Sequence, residues 1–174
     1  MMRSGAESGK SPVILSVSRL CEWAGIRGST RDHWVEKGFV RYLGDSNPDQ
    51  AAVVETFLAT TLHDALGLDE AHMAWTRTKA EVFNALDDVP LRLDLVWIAS
   101  PPAAQLVRTT EELLQTVLSA PRRLAVVRLA PRIREAVSAL NMYEQAAWAT
   151  ETAEREKARR IESRPKRALR NVPK

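Results

Sequence analysis

LSVSRLCEWAGIRGSTRDHWVEKGFVR, residues 15–41, carries two short helical patterns separated by a glycine-bounded turn. In the first, Ser16 stands where a helix cap belongs, and Val17, Leu20, Cys21 and Ala24 recur at the spacing of one helix face. Gly25 is placed to end it, because a left-handed residue there closes the last turn without a Cβ penalty. Gly28 or Ser29 can cap the second helix, with Asp32 as the acidic half of a capping box on the Ser29 reading, and Gly38 stops it. Between them, Gly25-Ile26-Arg27-Gly28 is short enough to set two helices at an angle across one small core, which Ile26 and Trp34 are expected to fill.

Downstream, Arg41 to Pro48 is rich in turn formers. A helix is predicted from about Asp49 to Leu66, with Val53, Val54, Phe57, Leu58, Thr61, Leu62 and Ala65 inward and Gly67 at its end. Asp69 then caps a helix running to about Leu86, with Met73, Val82 and Phe83 in the core. This helical pair carries Asp49, Glu55, Asp64, Asp69, Glu70 and Glu81 against few bases, so it is expected to face away from any phosphate.

A break at Asp87-Asp88-Val89-Pro90 precedes a different pattern. Leu91, Leu93, Leu95 and Trp97 alternate with Arg92, Asp94 and Val96 as a strand does, and Pro101-Pro102 closes the run. Leu106, Val107, Thr110, Leu113, Leu114, Val117 and Leu118 follow helical spacing, and Leu124 to Leu129 reads as a second strand. Two strands alone are marginal, so self-association into a homodimer is the simplest source of support. Pro131 suits the first turn of a long helix through Ile133, Val137, Leu140 and Tyr143, past Trp148 and into Glu151 to Glu162. The expected organisation is a flexible leader (1–12), a first domain (13–88), an α/β or helical accessory and dimerisation domain (89–163), and a basic disordered tail (164–174).

The 174 residues are 45% apolar, enough for one sizeable core or two small ones, and the net charge of +3 says little by itself. A single cysteine, Cys21, cannot form an internal disulfide or a thiolate metal cage, which points to a reducing, cytoplasmic setting. No apolar run approaches the roughly 20 residues of a membrane span. Glycine-rich phosphate loops, nucleophile elbows and paired-carboxylate settings are missing, and His63-Asp64 with His72 lacks a third metal ligand at a sensible spacing. The expectation is a protein that is not an enzyme and uses no metal or cofactor.

Read in register, Leu15 to Cys21, then Ala24-Gly25-Ile26, then Thr30, Trp34 and Glu36-Lys37-Gly38-Phe39 resemble the winged helix-turn-helix of the MerR and excisionase families. Trp34-Val35-Glu36-Lys37-Gly38 is closest to the excisionase-like branch, and the resemblance covers roughly the first 85 residues with the two supporting helices included. It implies a mainly α fold: an N-terminal winged helix-turn-helix with supporting helices, then a small α/β or helical region ending in a long helix. It also implies that Ser16 and Arg19 lie against phosphate. Arg27, Ser29, Thr30, Arg31 and His33 would project into the major groove, and Arg41 and Tyr42 would begin the wing. Arg31-Asp32 stands where the MerR branch usually has Leu-Arg, and Arg41 to Pro48 lacks that family's wing pattern. The expected function is a sequence-specific, double-stranded DNA-binding transcriptional regulator, in the simplest case a repressor of the kind phages and mobile elements encode. The alternative is a DNA-binding assembly protein such as a phage small terminase subunit.

Overall fold

The Ser16 hydroxyl accepts a hydrogen bond from the Arg19 N–H (3.2 Å) and starts α1 (Val17–Ala24), while Gly25 at φ 74° ends it. These features belong to a computed structural model that describes residues 15–44, 48–88, 96–100, 103–119 and 124–162. Three residues later α2 (Gly28–Glu36) begins. Its exit is a Schellman-type closure: Gly38 sits at φ 71°, and the Phe39 N–H donates back to the Trp34 carbonyl at 2.8 Å. A Cβ at residue 38 would meet nothing closer than His72 Nε2 at 3.9 Å, so only the backbone conformation resists substitution. Gly38→Ala is therefore expected to cost about 1–2 kcal/mol, read as a lowered midpoint in urea unfolding.

Asp49 caps α3 (Gln50–Leu66) by accepting from the Ala52 N–H at 2.7 Å, and Gly67 ends it as the sequence suggests. Every residue from Ala52 to Ala59 is buried, so this helix is enclosed nearly all round. Ala65, expected inward, is exposed. In α4 (Leu68–Asp88) the buried stripe is Ala71, Ala74, Trp75, Thr78, Val82 and Ala85. Met73 falls off that stripe and is 47% exposed, contrary to expectation, and Asp69 lies inside the first turn and not at the cap.

The region beyond is also rearranged relative to its sequence pattern. Strands β1 (Val96–Ser100), β2 (Ala103–Val107) and β3 (Ala125–Arg128) form an antiparallel sheet in the order β2-β1-β3, with Trp97 opposite both Leu106 and Val127. Leu106 and Val107, expected at the start of a helix, are strand residues. The helix α5 (Thr110–Ser119) starts after Thr109, whose hydroxyl accepts from the Glu112 N–H while the Glu112 carboxylate accepts from the Thr109 N–H. That reciprocal capping box separates strand from helix. Val107 is buried with Leu113 and Leu124 packed on it, whereas Leu114, Val117 and Leu118 are exposed. The expected strand over 91–95 lies outside the described residues.

Last comes α6 (Ala130–Glu162), with Pro131 in its first turn as anticipated and Ile133 and Ala136 buried. Arg132 anchors its start. Its Nη2 donates to the Ala24 carbonyl at 3.1 Å, satisfying an orphan acceptor at the end of α1, and its guanidinium stacks 4.8 Å from the Phe57 ring centroid. The chain divides into two compact units between Leu140 and Asn141. Among the described residues no helix is long and apolar enough to cross a membrane.

Candidate nucleic-acid interface

On α2 the residues three and four apart decide what faces solvent. Arg31 and Trp34 share the buried face, 3% and 1% exposed, while Ser29, Asp32, His33 and Glu36 lie on the open one. Arg27 occupies the N-cap position in extended conformation, and no side chain caps this helix. The expected cap by Gly28 or Ser29 is thus corrected: both are helical residues of the first turn. Their N–H donors are left for water or a ligand, and a helix N-terminus favours an anion.

The residues singled out in the sequence separate into two groups. Arg19, Arg27, Ser29, His33 and Tyr42 are exposed, Ser16 is exposed with its hydroxyl committed to the cap, and Thr30 is half-buried. Arg19 Nη1 contacts Glu22 Oε2 at 3.0 Å. Arg31 is not a groove-facing residue: its Nη2 donates to the Arg41 carbonyl at 3.0 Å from inside the fold. Its position three residues before Trp34 places it on the inward face, which is the physical reason the expectation fails.

Arg41 is likewise occupied. Its Nε donates to Glu55 Oε2 at 2.7 Å and its Nη1 lies 3.6 Å from Asp49 Oδ2. The Lys79 ammonium binds the other oxygen of Glu55. Glu55 is 1% exposed, so it does not face outward with the other acids of the helical pair as the sequence suggested. It draws Arg41 and Lys79 into an ionic network of four residues, with Asp49 on the outer side of Arg41, which sequence reasoning missed. Residues 39–44 form no strand, Phe39 and Val40 turn into the core, and the remainder of the expected wing falls partly on 45–47, outside the described residues.

Two of the three histidines, His63 and His72, pack against aromatic rings. His63 lies tilted against Trp34 with ring centroids 5.3 Å apart, and His72 meets the Phe39 ring at 6.1 Å. No group of three metal-ligating side chains occurs among the described residues. Cys21 is buried, and that burial pushes its thiol up, against the opposing pull of Arg31 and with a further push from Asp32, so it is held as the unreactive thiol.

What remains at the surface is a compact set. Arg19, Arg27 and Lys37 offer positive charge, Glu22, Asp32 and Glu36 offset it, and Ser29 and His33 supply hydrogen-bonding groups along α2. This arrangement suits a ligand with few anionic contacts and many hydrogen-bonding edges. No family model matches the chain, and no curated protein matches it either.

Proposed function

We propose that the chain is a sequence-specific double-stranded DNA-binding regulator whose α2 enters the major groove, with Arg41 and Tyr42 beginning a reduced wing. The observation that carries this reading is the uncapped N-terminus of α2, beside exposed Arg27, reached through a three-residue turn from α1. In that pose Arg27 and the first N–H groups take a phosphate, and Ser29, Asp32, His33 and Glu36 meet base edges. Asp32 and Glu36 are acceptors suited to cytosine amino groups.

Because Arg31 and Arg41 are held inside the protein, Arg19, Arg27 and Lys37 are the exposed cations of the helix-turn-helix left for phosphates among the described residues. The logarithm of affinity should then fall with the logarithm of salt at a slope of about −2 to −3, far shallower than for a basic clamp. Selection from random duplex DNA at moderate salt is expected to return one enriched site. Arg27→Ala should weaken binding to that site about tenfold or more, at unchanged thermal stability. An unenriched pool, or an Arg27→Ala protein that binds as tightly as the parent, overturns the reading.

A second reading, a DNA-binding assembly protein such as a phage small terminase subunit, is favoured by one observation. The unit from Asn141 onward exposes Met142, Trp148 and Ile161, each more than 60% open, on the long α6. Native mass separates the two: a ring-sized oligomer favours assembly, a monomer or dimer favours regulation.

A further inference from the structure

Arg132 commits all three of its guanidinium nitrogens, each to a different element or turn. Nε donates to the Phe57 carbonyl inside α3 at 3.4 Å, and Nη2 donates to the Ala24 carbonyl at the end of α1 at 3.1 Å. Nη1 pairs with Glu135, one turn along α6 itself. The side chain is 22% exposed, and its charged plane lies 4.8 Å from the centroid of the buried Phe57 ring. A planar fork of this kind holds acceptors on two neighbouring helices at fixed angles, which a lysine ammonium on its flexible stem does not do.

The carbonyl taken from α1 is the one beside the turn. Ala24 is the last residue of α1, and Gly25-Ile26-Arg27 then leads directly into α2. The turn has little packing of its own: Gly25, Arg27, Gly28 and Ser29 are exposed, and Ile26 and Thr30 are half-buried. The buried residues of α2 are Arg31 and Trp34, which hold the helix from beyond its first three residues. Its N-terminus, which no side chain caps, is therefore located by the chain that enters it. Segments with few buried contacts open locally at low cost, so a hydrogen bond at the root of this turn weighs heavily on its order.

We propose that Arg132 is the positioning residue for the N-terminal end of α2: by holding the Ala24 carbonyl against α3, it fixes the α1–α2 turn and the place of Arg27. The start of α6 thereby becomes part of the recognition unit, although Arg132 lies 108 positions from the residue it holds. The hold on the turn needs no ligand, whereas its effect on DNA rests on the reading proposed above.

The test compares the full-length parent with Arg132→Met, Arg132→Lys and Glu135→Gln. Amide hydrogen exchange is followed at Ile26 and Arg31, whose N–H groups bond to the Cys21 and Arg27 carbonyls, and at the buried Val53, Val54 and Leu62 of α3. In Arg132→Met, exchange at Ile26 and Arg31 should quicken about tenfold or more beyond any change at the α3 amides. Arg132→Lys keeps the charge over Phe57 but donates to one carbonyl at a time, so the same local effect is expected at smaller size; it decides the matter if the methionine variant does not fold. Glu135→Gln leaves both carbonyl bonds in place and should leave the turn unchanged. On the duplex returned by selection, the cost of Arg27→Ala should shrink from about tenfold to about threefold or less in an Arg132→Met background, because an Arg27 already out of place has less to lose. Equal acceleration at the turn and in α3, or none at the turn, overturns the proposal, as does a cost of Arg27→Ala that is the same in both backgrounds. If selection returns no site, the DNA reading fails and the exchange rates alone decide the role of Arg132.

Discussion

Trp34→Ala is expected to lower the melting temperature of the protein by roughly 10 °C or more, the largest single-residue effect in the helix-turn-helix region. The indole is 1% exposed, meets the Phe39 ring edge-on at 5.4 Å between centroids, and lies 5.3 Å from the His63 ring of α3. Its removal leaves a void beside Phe39, which is held by its own N–H bond to the Trp34 carbonyl, and beside His63 of α3, a helix buried from Ala52 to Ala59. Truncating a buried tryptophan costs about 3–5 kcal/mol, a large share of the 5–15 kcal/mol that stabilises a typical domain. Trp34→Phe, which keeps most of the aromatic volume, should lose less than half as much. Circular-dichroism melts of the three proteins measure this directly, and a shift under about 3 °C for Trp34→Ala would show that the α2–α3 contact is peripheral to stability.

The legible parts of this fold are those whose causes are local. Ser16, Gly25, Gly38, Asp49 and Gly67 act within three or four residues of themselves, and each ends or starts a helix where its chemistry says it should. Thr109-Thr110-Glu111-Glu112 is the same kind of signal, and reading it as a capping box places the strand-to-helix boundary that hydrophobic spacing alone put too early. The antiparallel sheet order is a tertiary matter: β3 joins β1 across an intervening hairpin strand and helix, and no short-range pattern specifies that.

The candidate interface was half legible for a related reason. Basic residues near a helix N-terminus look alike in sequence whether they reach DNA or a buried acid. What consumes Arg41 is Glu55, fourteen positions away on α3, with Lys79 a further twenty-four along on α4. Arg31 was recoverable, because its three-residue spacing from Trp34 puts it on the inner face. Enclosure of α3 from Ala52 to Ala59 likewise marks Glu55 as a buried acid that must be paired.

That network yields the second large effect, in which the direction of asymmetry matters more than the size. Arg41 and Lys79 are each about one third exposed, so removing Glu55 leaves two cations that can turn to water. Glu55→Gln should therefore cost only about 1–2 kcal/mol. Removing both cations is different. In an Arg41→Met/Lys79→Met protein, Glu55 keeps its place at 1% exposure with no countercharge, and an uncompensated buried charge costs about 3–5 kcal/mol. The Arg41 carbonyl survives the change, so the hydrogen bond from Arg31 is not a confounding loss. Adding Glu55→Met to the double variant should then restore most of the stability, because the apolar triple removes the stranded charge together with its partners. Urea unfolding of the four proteins gives the order directly: parent and triple variant close together, Glu55→Gln somewhat below, and the cation-free double variant lowest. If the triple variant is instead the least stable, the network holds the post-α2 segment against α3 and α4 by direct attraction, and burial of the carboxylate is not its dominant cost.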